Sequence, residues 1–180
     1  MIFRRRRHLS QLFWMISLQL VTPANAMLFK AVRLRALRDT PTAFSSTYAA
    51  ESRLSDRNWI ERAQEWSGKR LTTYLAMDVE NPCGIVSGFL QQDDPTCAHL
   101  ASMWVAPSHR RSGIGRMLVN AIIEWARLRG ADTLQLTVTS NNDPAIEFYK
   151  SLGFSPTGKV APYRNDPALN DIEMIRSISS

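Results

Sequence analysis

Apolar residues change period abruptly in the middle of this chain. In HLASMWVAP, Leu100, Ser102 and Trp104 alternate with Ala101, Met103 and Val105, a two-residue period that predicts a strand ending near Ala106, before Pro107. A few residues later Ile114, Met117, Leu118, Ala121, Ile122, Trp125 and Leu128 recur at three- and four-residue spacings, with Arg116, Asn120, Glu124 and Arg127 between them. That spacing predicts an amphipathic helix from near Gly113 to a stop at Gly130. The same rules predict a strand at 15–21, a helix from Asn25 to Arg38 on Val32, Leu34 and Leu37, and a loop or short helix through FSSTYAAE after Thr40-Pro41. Ser55, with Asn58 three residues on, caps a helix carrying Trp59, Ile60, Ala63 and Trp66 that stops at Gly68. Strands follow at 70–78 and 84–92, joined by a turn containing Asn81-Pro82, and Asp93-Asp94-Pro95 leads into the strand that ends at Ala106. LQLTVT is a further strand, Asp143-Pro144 an N-cap followed by proline at N1 of a helix to Leu152, and a last strand runs near 172–178. Strands first and then strand-helix-strand-helix-strand imply a mixed sheet flanked by helices, an α/β fold.

The junction between the strand and the long helix carries chemistry. Gly113 and Gly115 remove Cβ atoms that hold a ligand away from the backbone, and the unpaired N–H groups of the first helical turn coincide with the positive end of the helix dipole. A diphosphate suits such a place, with Arg110 and Arg111 adding charge and Ser112 a hydroxyl donor. A triphosphatase loop needs Gly-Lys-Ser/Thr, whereas Gly115 is followed by Arg116 and Met117. A dinucleotide fingerprint needs a third Gly or Ala where Leu118 stands.

Arg110, Gly113 and Gly115 match the pattern R/Q-x-x-G-x-G/A, and here the chain resembles the Gcn5-related N-acetyltransferase (GNAT) family. TLQLTVTSNNDPAIEFYKSLGFSPTG is similar to that family's next strand, its strand-to-helix crossing and its short tyrosine-bearing helix. LFKAVRLRALRDTPTAFSSTYAAE is similar to its first helix and substrate-side loop. The resemblance covers most of residues 16–178. It implies a single domain at 13–180 with a mixed, mostly antiparallel twisted sheet and two parallel central strands that splay apart to admit the donor. It also implies acetyl-CoA as donor, bound by Trp104, Val105, Arg110, Arg111, Ser112, Gly113, Ile114, Gly115, Arg116, Asn142 and Tyr149. Tyr149 stands where relatives place the acid that protonates the departing thiolate. Asn142 matches an asparagine that contacts the pantetheine arm, and an Asn there also suits a helix cap. Main-chain N–H groups around Val105 are the expected oxyanion donors.

Composition limits the alternatives. At 180 residues with 44% hydrophobic and 21% charged positions, the chain has the make-up of one globular domain. Its formal charge of +6 owes four units to Arg4, Arg5, Arg6 and Arg7, so the body is nearly balanced, and no aromatic interleaving or zinc spacing accompanies the basic run. No nucleic-acid or membrane partner is therefore expected, and no metal. Residues 1–12 read as a disordered basic extension. Together with LFWMISLQLV and Ala24-Asn25-Ala26 they imitate a signal peptide, but ISLQLVT alternates as a half-exposed strand does, and acetyl-CoA is a cytoplasmic metabolite. The two cysteines, Cys83 and Cys97, read as reduced thiols. The expected protein is cytoplasmic, a monomer or homodimer.

The acceptor side says less. Many relatives carry a carboxylate on the strand before the glycine turn, where this chain offers only His99 and Ser102, with Asp78 or Glu80 at a distance and His109 assigned to the turn. Phe44, Ser45, Ser46, Thr47 and Tyr48 form the expected acceptor loop, whose neutral, aromatic character favours a small amine or a protein N-terminus over a polycation. The leading expectation is transfer of acetyl from acetyl-CoA to a primary amine of a small molecule, a protein N-terminus or a lysine. An acyl-CoA-binding sensor without turnover and an exported or nucleic-acid-associated basic protein are the competitors.

Overall fold

Hairpin ladders and one parallel crossover make up the sheet. The computed structural model describes residues 16–179, and the predicted basic extension at 1–12 lies outside them. β1 (Ile16–Leu20), β2 (Leu71–Asp78), β3 (Asn81–Leu90), β4 (Cys97–Val105), β5 (Thr133–Thr139), β6 (Ser155–Pro162) and β7 (Asn170–Ser177) form one seven-stranded sheet in the order β1-β2-β3-β4-β5-β7-β6. β4 and β5 are parallel, and every other neighbouring pair is antiparallel. The helices are α1 (Ala26–Asp39), α2 (Tyr48–Glu51), α3 (Asp56–Glu65), α4 (Ile114–Arg127) and α5 (Asp143–Ser151).

Two local expectations are corrected. Asn81 and Pro82 belong to β3, and the loop is Val79-Glu80, with Val79 at φ 56° as a two-residue hairpin turn demands. Pro82 is tolerated because it lies beside a register shift opposite Ala76 and Met77, where the ladder is already interrupted. On α5 the N-cap is Asn142, whose side chain accepts from the Ala145 N–H; Asp143 is then N1 and Pro144 N2. Asn is as good a cap as Asp, so the pattern was one residue out of step. The Ser55–Asn58 capping box of α3 forms as predicted.

Strand parity sorts the two faces. A Cβ on Gly84 would meet Leu118 at 3.0 Å and one on Gly88 would meet Ile122 at 3.0 Å, so these glycines let α4 lie directly on β3. The alternate residues Ile85, Ser87 and Phe89 face the other way, toward α1 and the loop before α2. α4 buries Ile114, Leu118, Ile122 and Trp125, which its period singled out, and also Val119, Ile123 and Ala126, while Met117 and Ala121 are only partly covered. Exposed Leu128 falls outside that stripe because it is already the C-cap.

The central strands part. β4 and β5 pair only from Cys97↔Thr133 to Leu100↔Leu136, after which β4 continues against β3 alone and β5 against β7 alone. The expected splay is present. A bulge marks its start, since Ile85 faces Trp104 and Ser87 faces Ala101, so that Ser102 and Met103 share Val86, with Ser102 at φ 55°.

Candidate active site

β4 delivers one end of the site and α4 the other. The turn between them runs through a short 3-10 segment, Pro107–His109, and reaches Gly113 as the N-cap of α4 at φ 91° and ψ −8°. A side chain there would be strained, and the cap has no side chain to satisfy the first-turn N–H groups. Those donors, from Ile114 to Arg116, keep the free orientation that an anion requires. Arg111, exposed and at φ 61°, is another non-glycine residue held in the left-handed region, so strain gathers at the bulge and at this turn.

Several side chains have different work from that expected. Arg110 donates Nε to the Val105 carbonyl at 2.9 Å and pairs through Nη2 with Asp39, so its charge is already partnered. The Trp104 indole, 5% exposed, points to the α1 face and donates to Asp39 at 2.8 Å, leaving only its backbone near the cleft. Ser112 gives its hydroxyl to the His109 carbonyl, and Ile114 is buried in the core. Gly115 makes room for neighbours: a Cβ there would meet the Phe148 ring at 3.0 Å and Met103 at 3.3 Å, which locks α5 and the bulge against the start of α4. Arg116 is exposed on the first turn. At this junction the backbone, rather than side chains, offers the donors.

The irregular backbone also lies earlier than expected. Ala106 donates to Cys83 on β3, so by alternation the N–H and C=O of Val105 face away from β3, into the gap that β5 has left. Val105 itself is regularly paired with Gly84, whereas the break in the ladder falls at Ser102–Met103. Tyr149 is 7% exposed, wedged against Phe148 and Phe154 with ring centroids at 5.3 and 5.7 Å. Burial pushes its phenol well above the usual tyrosine range, which keeps it protonated and able to donate. Asn142 uses its carbonyl oxygen on the cap.

On the opposite face the gap opens into a cavity of about 310 Å³. Phe44 and Ser45 of the predicted acceptor loop line it, together with His99, while Thr47 caps α2 and Tyr48 is covered by the Arg38 guanidinium at 4.1 Å. His99 stacks on Phe89 at 4.9 Å, and burial lowers its pKa, partly countered by Glu173, so the imidazole is neutral at pH 7. His109 binds Asp78 at 3.2 Å and belongs to the turn, as predicted. The sequence reading missed Arg33, Thr139, Tyr163, Arg164 and Asp171, which also line the cavity. Burial raises the Asp171 carboxyl. Tyr163 and Asn165 fasten the loop by donating to the Phe44 carbonyl at 2.7 and 3.3 Å.

The sequence profile described as "Acetyltransferase (GNAT) family" matches residues 34–154, a span containing the glycine turn, the parted strands and α5. The chain belongs to that family. Among its relatives, the streptothricin acetyltransferase of Streptomyces lavendulae is 50% identical over 54 residues, 30% of this chain and 29% of that protein. The [ribosomal protein bS18]-alanine N-acetyltransferase of Salmonella typhimurium is 43% identical over 58 residues, 32% of this chain and 39% of that protein. These matches therefore span well under half the length of either curated relative. The structure of yncA from Salmonella typhimurium, solved with its cofactor acetyl-CoA, superposes with a TM-score of 0.75 at 18% identity, covering 92% of this chain and 95% of that one. The GNAT fold is thus shared over nearly the whole chain. Among the described residues, no helix is long and apolar enough to cross a membrane, and no cluster of side chains is suited to a metal.

Proposed function

We propose that this GNAT protein is a cytoplasmic N-acetyltransferase that moves the acetyl group of acetyl-CoA to a primary amine by direct attack. The observation that carries the reading is the gap between β4 and β5, which joins an uncapped helix N-terminus on one face to a cavity with titratable groups on the other. The N–H groups of 113–116 suit the diphosphate, Val105 and Asn142 suit the amides of the pantetheine arm, and exposed Arg111 and Arg116 add positive charge around it. Acetyl-CoA supplies an activated carbonyl carbon and a thiolate leaving group.

The residues then divide the proton traffic. An alkylamine with a pKa near ~10 arrives charged, and His99, held neutral by its surroundings, takes its proton directly or through water. N–H groups of the Ser102–Met103 bulge meet the negative charge developing on the carbonyl oxygen as the C–N bond forms. Tyr149 gives its hydroxyl proton to the sulfur as the C–S bond breaks, and the second proton, which the nitrogen sheds as it becomes the amide, returns through water to restore the phenol. The binding-only alternative drew on the lack of a carboxylate on β4. With His99 and Asp171 facing the cavity, it has no observation of its own in favour.

Calorimetry with acetyl-CoA, followed by release of CoA thiol across a panel of amines and N-terminal peptides, tests the reading. Micromolar donor binding with thiol release for one class is expected, and binding without release from any amine would refute turnover. Tyr149→Phe is expected to lower kcat by about 10²- to 10⁴-fold with donor affinity nearly unchanged, the range for loss of a positioned acid. A variant with unchanged kcat removes Tyr149 from the mechanism. The pH profile addresses His99: because its folded pKa is lowered, the base form persists below the ordinary value of 6.5, so the acidic limb of kcat/KM has its midpoint below 6.5. In His99→Gln that limb should disappear along with most of the rate. A limb that survives the substitution belongs to another group.

A further inference from the structure

The cavity wall narrows the chemistry of the acceptor. Glu51 on α2, 2% exposed, receives Arg33 through Nε at 3.1 Å and Nη2 at 2.9 Å, and Arg62 through Nη1 at 3.0 Å. Two guanidiniums share one carboxylate, so this cluster carries a net positive charge, with Arg33 only 8% exposed. Arg33 is the member that reaches the cavity, where its guanidinium lies over Phe44 at 4.7 Å and Nη1 donates to Ser102 Oγ at 3.0 Å. A guanidinium has five N–H groups, and these bonds leave one on each terminal nitrogen unassigned. The Arg62 side chain is 30% exposed and shares its charge with solvent, so Arg33 is the buried member of the cluster that an anion in the cavity would complete.

A second observation is independent of that cluster. Thr139 lines the same cavity at the end of β5, is 4% exposed, and its hydroxyl has no hydrogen-bond partner among the described residues. Such a group in a native protein calls for a polar partner from outside the chain. Opposite charges also lie apart along the wall. Asp171 on β7 contributes a carboxylate and Arg164, in the segment between β6 and β7, a guanidinium, and neither forms an ion pair among the described residues.

We infer that the acceptor is a small amine that also bears a carboxylate, the free amino acid class, with Arg33 and Arg164 holding the carboxylate and Asp171 and His99 beside the amine. The inference rests on the acetyl-transfer reading and deepens it. Planar guanidinium forks match a carboxylate through paired, charge-assisted N–H bonds, whereas a polycation would bring a second ammonium against them. A peptide N-terminus has an amide where the carboxylate stands, and so leaves the positive charge of the Arg33 cluster uncompensated. About 310 Å³ is also at the small end of ligand sites.

The test compares free amino acids with their C-terminal amides and their decarboxylated amines. Thiol release is followed with acetyl-CoA, and calorimetry is run on the CoA-loaded protein. At least a tenfold higher kcat/KM for one amino acid than for its amide and amine is expected, about 1.4 kcal/mol. Arg164→Gln should raise KM for the amino acid about tenfold and so narrow or remove its advantage over the amide. Equal or better turnover of amides or decarboxylated amines overturns the inference and leaves acetyl transfer standing. Absence of both heat and thiol release with every amino acid overturns it as well, and acetyl-CoA titration of the same sample then tells a wrong acceptor from a wrong donor reading.

Discussion

Gly113→Glu is expected to abolish acetyl-CoA binding while the protein stays folded. Gly113 is exposed at φ 91°, so a side chain there is strained by about 1–3 kcal/mol. A glutamate would also set a carboxylate at the positive end of α4, where the proposed diphosphate is to lie, and like charges in contact cost several kcal/mol, more than ~100-fold in affinity. Gly113→Ala separates the two effects, because it brings strain without charge and should lose far less affinity. Calorimetry with circular dichroism on both variants is the check. A folded Gly113→Glu protein that binds acetyl-CoA like the wild type would move the donor site away from this turn. Gly115 is a different case despite the shared motif, since a Cβ there presses on Phe148 and Met103 and would disturb packing first.

Glu51→Gln should cost about 3–5 kcal/mol of stability, the usual penalty for removing one partner of a buried pair. The substitution is nearly isosteric, yet it leaves Arg33 at 8% exposure with no carboxylate, and frees Arg62 from its 3.0 Å contact. Burial pushes the Glu51 carboxyl up, but hydrogen bonding and charge from Arg33, with Arg62 helping, more than offset it and hold the pKa below 4.5. A depressed folded pKa stabilises the protein above the unfolded value and loses that contribution as pH falls through the folded one. The gap between wild type and variant should therefore be full at neutral pH and shrink below about pH 4.5. Urea titrations at pH 7 and under acid measure it. A small gap that ignores pH would mean the carboxylate is not what holds Arg33.

Why the donor side was legible and the acceptor side was not follows from chain locality. Strand, glycine turn and α4 are contiguous, so period, Pro107 and Gly113 carried the arrangement in some thirty residues, and only the side-chain duties of Arg110, Trp104, Ser112 and Gly115 needed coordinates. The cavity draws Arg33 from α1, Phe44 from a loop, His99 from β4, Thr139 from β5 and Asp171 from β7, and apart from Arg33 and Phe44 no window of some thirty residues holds two of them. One signal was present. Phe29, Val32, Arg33, Ala36 and Leu37 form the buried stripe of α1, and a charged residue on an apolar stripe demands a buried partner. Phe89 beside His99 could likewise be read from the β3–β4 hairpin once its register is fixed. The cap of α5 fell to Asn142 rather than Asp143 because both types serve equally well, and Pro144 is tolerated in the first turn, where its missing N–H has no helical partner to lose.

The short parallel ladder makes the sheet two blocks, four strands and three, joined by four residue pairs from Cys97↔Thr133 to Leu100↔Leu136. Beyond that hinge each block ends in an edge that faces the other across empty width. On the proposed donor site, a pantetheine arm entering there would be a splint as much as a substrate: its amides would bridge edges that the chain itself leaves unjoined and fix the twist between the blocks. The cavity is walled by both blocks, His99 from one and Thr139 and Asp171 from the other, so its width would follow the twist that such a splint fixes. Donor-first binding is therefore the order that this sheet predicts.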